Sequence, residues 1–330
     1  MSNKIKRIGI LTSGGDAPGM NAAVRAVVRT ALGQGVECIG IRRGWSGLIN
    51  ADFVRLDSSS VSHILNRGGT MLYTARCTEF MEREGRAKAI STCKLLGLDG
   101  IVAIGGDGTF RGALALSRQV AETGETLSVV GIPATIDNDI GCSNYTIGFD
   151  TASNTAIDCI DKLRDTMQSH ERCSVVEVMG RHAGFLALYV GISVGANAVL
   201  IPEHKVDFKE DVVEKIRRAR LSGNTHFLIV VAEGAGSALD FGKKIHKELG
   251  IDTRVTVLGH IQRGGVPTAR DRETASRMGY EAVKALLSDK GNRIIGTQDG
   301  AIVDMDMEEA LAMVKNLQMY RYEVLEAIHL

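Results

Sequence analysis

Short aliphatic runs of strand length alternate along this chain with longer stretches in which apolar residues recur three and four positions apart. Arg7–Thr12, Glu37–Ile41, Ile101–Ile104 and Ser128–Ile132 are nearly continuous apolar runs, the pattern of strands covered on both faces. Each leads into glycine and then into a helical pattern. After the first run, Met20, Val24, Val27, Val28, Ala31 and Leu32 fall on one helical face, and Gly33 closes it. The rhythm returns further on. A helix is predicted over Thr151–Met167, with Ala152, Ala156, Ile160, Leu163 and Met167 as its core stripe. Strands are predicted at Ser174–Val178, Ala198–Ile201, Phe227–Ala232 and Arg254–Leu258, and helices at Phe208–Leu221, Gly242–Leu249 and Thr268–Leu287. Repeated strand, glycine and helix units predict an α/β protein, with mainly parallel sheets covered by helices and ligands outside the carboxyl ends of the strands. Two such layers facing a cleft are expected.

Composition narrows this picture. The chain has 330 residues, enough for two domains of about 150, each with its own core. Hydrophobic residues make up 44% and charged residues 24%, which excludes a disordered chain. The 39 Lys and Arg balance 39 Asp and Glu, so a nucleic-acid partner is not expected. Glu214, Lys215, Arg217, Arg218 and Arg220 read as the solvated side of one helix. No apolar run approaches the roughly 20 residues of a membrane span. The run Ile8–Leu11 after Lys4, Lys6 and Arg7 is too short for a secretory signal. No membrane partner is expected, and the expected compartment is the cytoplasm. Cys38, Cys77, Cys93, Cys142, Cys159 and Cys173 form no CxxC or close pair, which suits reduced thiols. No repeat, Pro-rich linker or charge block marks a domain boundary.

The candidate chemistry lies in the glycine segments. Ser13–Gly19 (SGGDAPG) joins the first strand to the first helix, where backbone N–H groups and the helix dipole favour a phosphate; a tight βα turn would ask for the same glycines. Neither GxxxxGK[ST] nor GxGxxG occurs, so the Walker and Rossmann fingerprints do not apply. Gly105–Thr109 (GGDGT) repeats the arrangement and adds Asp107. A carboxylate there repels bare phosphate, and Mg²⁺ between Asp107 and a nucleotide reconciles them; the alternative is a glycine turn with Asp as a helix cap. In Thr135–Asp139 (TIDND), an extended chain would point Asp137 and Asp139 to one side. Two carboxylates there need a cation or a proton, which suits metal binding and general-base chemistry; a cluster of Asx turns is the other reading. His260 and Arg263, three apart in a glycine-flanked segment, suit a second phosphate, although a lone histidine also serves structure. Arg76 and Arg181 are candidates for stabilising a transferring phosphoryl group, and taken singly each also reads as a surface arginine.

Taken together, SGGDAPGMNAAVR, NRGGT, IGGDGT, PATIDNDI, YTIGFDTA, VVEVMGRHAG and VLGHIQRGG resemble the 6-phosphofructokinases of bacteria, in order from about Lys6 to beyond Arg277. GGDGT alone is shared with NAD kinases and diacylglycerol kinases; PATIDND, MGR and GHIQRGG are more specific. The resemblance implies a glycolytic kinase that uses Mg²⁺ to transfer the terminal phosphoryl of ATP to the 1-hydroxyl of fructose 6-phosphate. On matching positions, Asp137 is implied as the base that takes the hydroxyl proton. Asp107 is implied as the metal carboxylate, with Asp139 nearby. Gly15, Arg76, Thr135 and Arg181 are implied to position or stabilise the phosphoryl group. The ATP side would comprise Gly15, Arg76, Cys77, Gly106, Asp107, Gly108 and Thr109. The sugar-phosphate side would add to Thr135, Asp137 and Asp139 the residues Arg172, Met179, Gly180, Arg181, Glu233, Arg254, His260 and Arg263. Arg172 and Arg254 match arginines that, in the family, reach in from a neighbouring subunit, so a homotetramer with shared active sites is implied.

The resemblance also implies two similar three-layer domains with the active site in the cleft. Residues 1–148 plus 261–308 would bind nucleotide, and 149–260 plus 309–330 the sugar phosphate. Pyrophosphate-using relatives carry Asp at the position of Gly108 and Lys at that of Ala134, so these small residues imply ATP as donor. Arg42 and Cys77 stand where familiar bacterial members have aromatics near the adenine. Arg25, Arg29 and Arg164 match arginines of the family's effector site, an allosteric site for ADP or GDP and phosphoenolpyruvate. Ser58, Asn197, Ser222 and Asn224 replace four of its charged contacts, so weak or altered control is expected.

Overall fold

The computed structural model describes residues 5–328. Along the chain run β1 (Arg7–Thr12), α1 (Met20–Gly33), β2 (Glu37–Ile41), α2 (Gly44–Ile49), β3 (Phe53–Leu56), α3 (Arg83–Leu96), β4 (Gly100–Gly105), α4 (Asp107–Ala121) and β5 (Ser128–Pro133). Next come α5 (Phe149–Ser169), β6 (Cys173–Val178), α6 (Phe185–Ser193), β7 (Ala198–Leu200), α7 (Lys215–Leu221), β8 (Phe227–Ala232), α8 (Ala238–Leu249) and β9 (Thr253–Val257). The last elements are α9 (Ala269–Leu287), β10 (Arg293–Gln298), β11 (Ala301–Asp306), α10 (Met307–Ala312) and α11 (Met319–Ile328).

The chain forms two compact units. Among the described residues, the larger comprises 5–135, 140–150 and 263–315, and the smaller 136–139, 151–262 and 316–328. The returning segment of the larger unit reaches 315 rather than 308, because α10 packs on α4 and β11.

The larger unit holds a seven-stranded sheet in the order β11-β10-β5-β4-β1-β2-β3. Its interior pairings are parallel, and β3 and β11 add antiparallel edges. The chain leaves β1 in one direction to β2 and later returns to β4 on the other side. The carboxyl ends of β1 and β4 are therefore the point where the strand order reverses and a crevice opens. Helix α1 buries Met20, Val24, Val27, Val28 and Ala31 and packs on α9 at very short range. A Cβ on Gly279 of α9 would come within 2.7 Å of the Ala26 Cβ. On the opposite face Phe110 of α4, fully buried, fills the space left by Gly131 of β5.

The smaller unit has four parallel strands in the order β7-β8-β6-β9. Its core packs one face of the sheet, with Val175, Phe227, Ile229 and Val231, against Val212, Ile216 and, from α8, Phe241 and Ile245. The two sheets thus share parallel architecture but differ in size. Among the described residues no helix is long and apolar enough to cross a membrane.

Several departures from the expected elements have local causes. Helix α8 begins at Ala238 rather than Gly242, because the Ser237 hydroxyl caps it by accepting the Asp240 N–H. Helix α9 starts the same way, with Thr268 accepting from Asp271. The helix predicted over Phe208–Leu221 is wound as a π-helix over Lys209–Glu214 before α7. The hairpin β10–β11, α2, β3 and α6 lack a clear periodic signal. Helix α6 is the plainest case: FLALYVGIS is apolar on nearly every side because most of it is buried.

Candidate active site

In the larger unit the two glycine loops, after β1 and β4, are locked together. The Ser13 N–H donates to the Ile104 carbonyl at 3.0 Å, and the Thr109 hydroxyl donates to the Ser13 carbonyl at 3.1 Å. The approach is close enough to exclude a side chain: a Cβ on Gly105 would lie 2.4 Å from both the Ser13 carbonyl oxygen and Thr109 Oγ1. Gly14, with φ 89°, turns the first loop into a conformation that other residues rarely adopt. Both loops run into helix N-termini, α1 and α4, whose unpaired N–H groups favour anions.

A third segment is strapped to the first loop. The Thr74 hydroxyl donates to the Gly14 carbonyl at 2.7 Å, and the Thr12 hydroxyl donates to the Tyr73 carbonyl at 2.8 Å. Asn21 of α1 donates to the Arg67 carbonyl and accepts the Met71 N–H at 2.7 Å. These bonds carry Arg76, which is exposed, and Cys77, which is half-buried against the core. Gly15 is also exposed. Arg263 reaches the same loop: its Nη1 donates to the Asp16 carbonyl at 3.0 Å and would lie 2.6 Å from a Cβ on Gly15. Of the residues expected at the sugar's phosphate, this one sits on the first glycine loop.

Asp107 is the first residue of α4, and its Oδ2 pairs with Nε of Arg111 at 2.7 Å. A Cβ on Gly106 would lie 3.8 Å from the Thr135 Cβ, whereas a Cβ on Gly108 would meet nothing within 4 Å. Packing therefore does not require glycine at 108. Ala134 is buried, and its N–H donates to the Gly105 carbonyl at 2.9 Å.

In the Thr135–Asp139 segment, Asp137 is 7% exposed, while Thr135 and Asp139 are half-buried. The extended geometry expected there does not occur. Asn138 takes φ 52° and the chain turns, which asparagine tolerates better than most residues. Strict alternation of Asp137 and Asp139 on one side is lost.

In the smaller unit the loop Met179-Gly180-Arg181 follows β6, which lies between β8 and β9. Its three successive N–H groups are held by side chains from the segments after those two neighbours. Glu233, next after β8, accepts from Gly180 at 3.2 Å and from Arg181 at 2.7 Å on one oxygen. Gln262, after β9, accepts from Met179 at 2.8 Å. Arg181, exposed, takes φ 59°, and a Cβ on Gly234 would press within 2.3 Å of its carbonyl. His260 is exposed on the 3-10 turn Gly259–Arg263.

Arg172 and Arg254 lie elsewhere in this unit. Both precede or begin strands, and both grip Asp252, at 2.6 and 3.1 Å. The hydrogen bond from Arg172, with the charge of Arg254 adding to it, holds the Asp252 carboxyl below the usual carboxylate range. The six residues of β6, about 20 Å of strand, separate Arg172 from the Met179 loop, and Arg254, second residue of β9, meets the same Asp252 at that far end. The structure does not bring these two arginines to the end of the sheet that carries the other sugar-phosphate candidates.

Arg25 and Arg29 are on α1 of the larger unit. Arg164 is on α5, bonded to the Val194 carbonyl, and lines a depression of about 230 Å³ in the smaller unit with Asn197, Asn224 and His226. Burial pushes the Cys38, Cys93 and Cys173 thiols up to about 12.

The Phosphofructokinase family profile matches residues 7–286. The chain belongs to the phosphofructokinase family. It is 52% identical over 325 residues to the ATP-dependent 6-phosphofructokinase 1 of Clostridium perfringens, covering 98% of this chain and 100% of that one. Among solved structures, phosphofructokinase from Saccharomyces cerevisiae superposes with a TM-score of 0.87 at 37% identity, and this chain spans 46% of that longer chain. The pyrophosphate-dependent phosphofructokinase of Marinobacter aquaeolei superposes with a TM-score of 0.84 at 21% identity over 96% of this chain and 86% of that one, a likeness of fold alone.

The residues missed at the level of sequence are Gln262, Asp252, Thr74 and Arg111. Gln262 stands in the GHIQRGG run between two candidates, which was a signal. Asp252 became informative only when two arginines converged on it.

Proposed function

We infer that this phosphofructokinase is an ATP-dependent 6-phosphofructokinase. It transfers the terminal phosphoryl of ATP to the 1-hydroxyl of fructose 6-phosphate, giving fructose 1,6-bisphosphate and ADP, a step of glycolysis. The observation that carries this reading is the interlocked pair of glycine loops at the strand-order reversal between β1 and β4, with Asp107 at the head of α4. Open space beside Gly108 supports a nucleotide: the bulk of an aspartate there would obstruct the nucleotide's inner phosphate.

Asp137 accepts the proton of the attacking hydroxyl, a role that asks for a carboxylate within hydrogen-bond reach of it. Gly15 offers backbone without a side chain in the way, while Arg76 and Arg181 spread charge from the transferring group and Thr135 orients it. Cys77, Gly106 and Thr109 line the nucleotide side. Asp107 fits a magnesium ion, which takes one or two carboxylates and completes its shell with phosphate oxygens and water. The ion, when bound with the nucleotide, neutralises phosphate charge.

Met179, Gly180, Glu233 and His260 receive the sugar phosphate, with Arg263 contributing from the first glycine loop and Asp139 nearby. Arg172 and Arg254, at the far end of the sheet, serve a neighbouring copy in a homotetramer. Cytoplasmic placement accords with this chemistry. Control by ADP and phosphoenolpyruvate is weak or altered, because Asn197 and Asn224 line one depression with Arg164 where the family resemblance implies charged groups.

The test is fructose 1,6-bisphosphate formation from fructose 6-phosphate and Mg²⁺, with ATP and pyrophosphate in parallel. Product with ATP alone is expected; product with pyrophosphate alone would overturn the donor assignment. Strong activation by ADP and inhibition by phosphoenolpyruvate would overturn the expectation about control.

A further inference from the structure

We propose that Gln262 is a positioning residue for the acceptor, holding the Met179–Arg181 loop in the shape that receives the sugar phosphate. The proposal rests on the reading of that loop as the acceptor segment. Gln262 is 0% exposed, while His260 and Ile261 beside it face solvent. Glutamine is seldom fully buried, and a buried amide needs partners. Its Oε1 accepts the Met179 N–H at 2.8 Å. A backbone N–H only donates, so this contact settles which end of the amide is oxygen. The nitrogen Nε2 is turned away, buried and without a hydrogen-bond partner. Leucine or methionine would fill this space without burying an unpaired donor, so packing alone does not account for the amide.

The loop it grips needs an external hold. Arg181 has φ 59°, a left-handed conformation that a residue other than glycine keeps only where the surroundings support it. Glu233 holds the second and third N–H groups of the loop and Gln262 the first. Glu233 is exposed and Gln262 is buried, so the two clamps differ: one is open to a ligand and the other acts only through the backbone. Gln262 also lies in sequence between His260 and Arg263, so one side chain ties the histidine's turn to the Met179 loop.

The test begins with the unaltered protein, assayed with fructose 6-phosphate and ATP. No product there removes the acceptor reading itself, and the proposal with it. Given product, Gln262→Met, close in volume, is expected to raise the KM for fructose 6-phosphate about tenfold, the scale of one lost hydrogen bond. The KM for ATP and kcat should stay within about threefold. Should that variant not fold, Gln262→Asn decides. It keeps an amide but draws it back by one carbon–carbon bond, about 1.5 Å, and must show the same split. An unchanged KM for fructose 6-phosphate, or equal losses for both substrates, would overturn the role of Gln262 while leaving the acceptor reading intact. Failure of both variants to fold would overturn it in favour of a structural amide.

Discussion

The carboxyl ends of the two sheets are built in different ways. In the larger unit the site is made of backbone: Gly14 and Gly105 let two loops and a strap close on one another through main-chain carbonyls. In the smaller unit the loop after β6 is held by the side chains of Glu233 and Gln262, one from each neighbouring strand's following segment. The difference matches the ligands proposed for the two units. A polyphosphate is bound by many N–H groups and a helix dipole, which glycine exposes. A sugar presents hydroxyls that are distinguished one at a time, which takes side chains placed by other side chains. Backbone sites should therefore be broken by added atoms, and side-chain sites by lost functional groups.

The largest expected effect comes from the carboxylate itself. Asp137→Asn should lower kcat by roughly 10²- to 10⁴-fold, with the KM for fructose 6-phosphate little changed; steady-state kinetics that show intact turnover would assign the base elsewhere. Next, Gly108→Asp should raise the KM for ATP about tenfold or more. Gly108→Ala, with nothing within 4 Å of the added Cβ, should leave stability within about 0.5 kcal/mol and serves as the control.

Adding one methyl group at Gly105 sharpens the comparison. Its Cβ would meet the Ser13 carbonyl oxygen at 2.4 Å, so Gly105→Ala should cost about 1–3 kcal/mol in denaturant unfolding. Gly15→Ala should cost less, because the atom it meets, Arg263 Nη1, is the end of a side chain that can swing away. Equal losses for the two would show that Arg263 is as fixed as the backbone.

The smallest effect is acidic. Hydrogen bonds from Ser59 and Ser60 hold the Asp57 carboxyl down to about 2. Its folded value lies below the unfolded value of about 3.9, so its contribution is full above about pH 4 and is lost as pH falls towards 2. Asp57→Asn should flatten the acid limb of a melting-temperature profile slightly. A steeper limb would contradict the sign.

Much of this was legible along the chain. The strands Arg7–Thr12, Glu37–Ile41 and Phe227–Ala232 have the bounds that the apolar runs predict, because a strand buried on both faces is apolar throughout. The glycine loops and the family were legible because phosphate-binding backbone demands glycine at fixed places. Helix α6 was hidden because burial on all sides erases amphipathic period. The extended reading of Thr135–Asp139 failed at Asn138, whose left-handed turn is a local choice that alternation does not encode.

By itself, then, the sequence determined the parallel α/β class, the family and the positions where phosphate chemistry is possible, since these depend on local pattern and on residue type. Only the tertiary structure decided that Gln262 reaches Met179, that Arg263 lies on Gly15, and that Arg172 and Arg254 meet at Asp252 about 20 Å of strand away from the Met179 loop. Those relations depend on strand order, and strand order brings β6 between β8 and β9 although the chain visits them far apart.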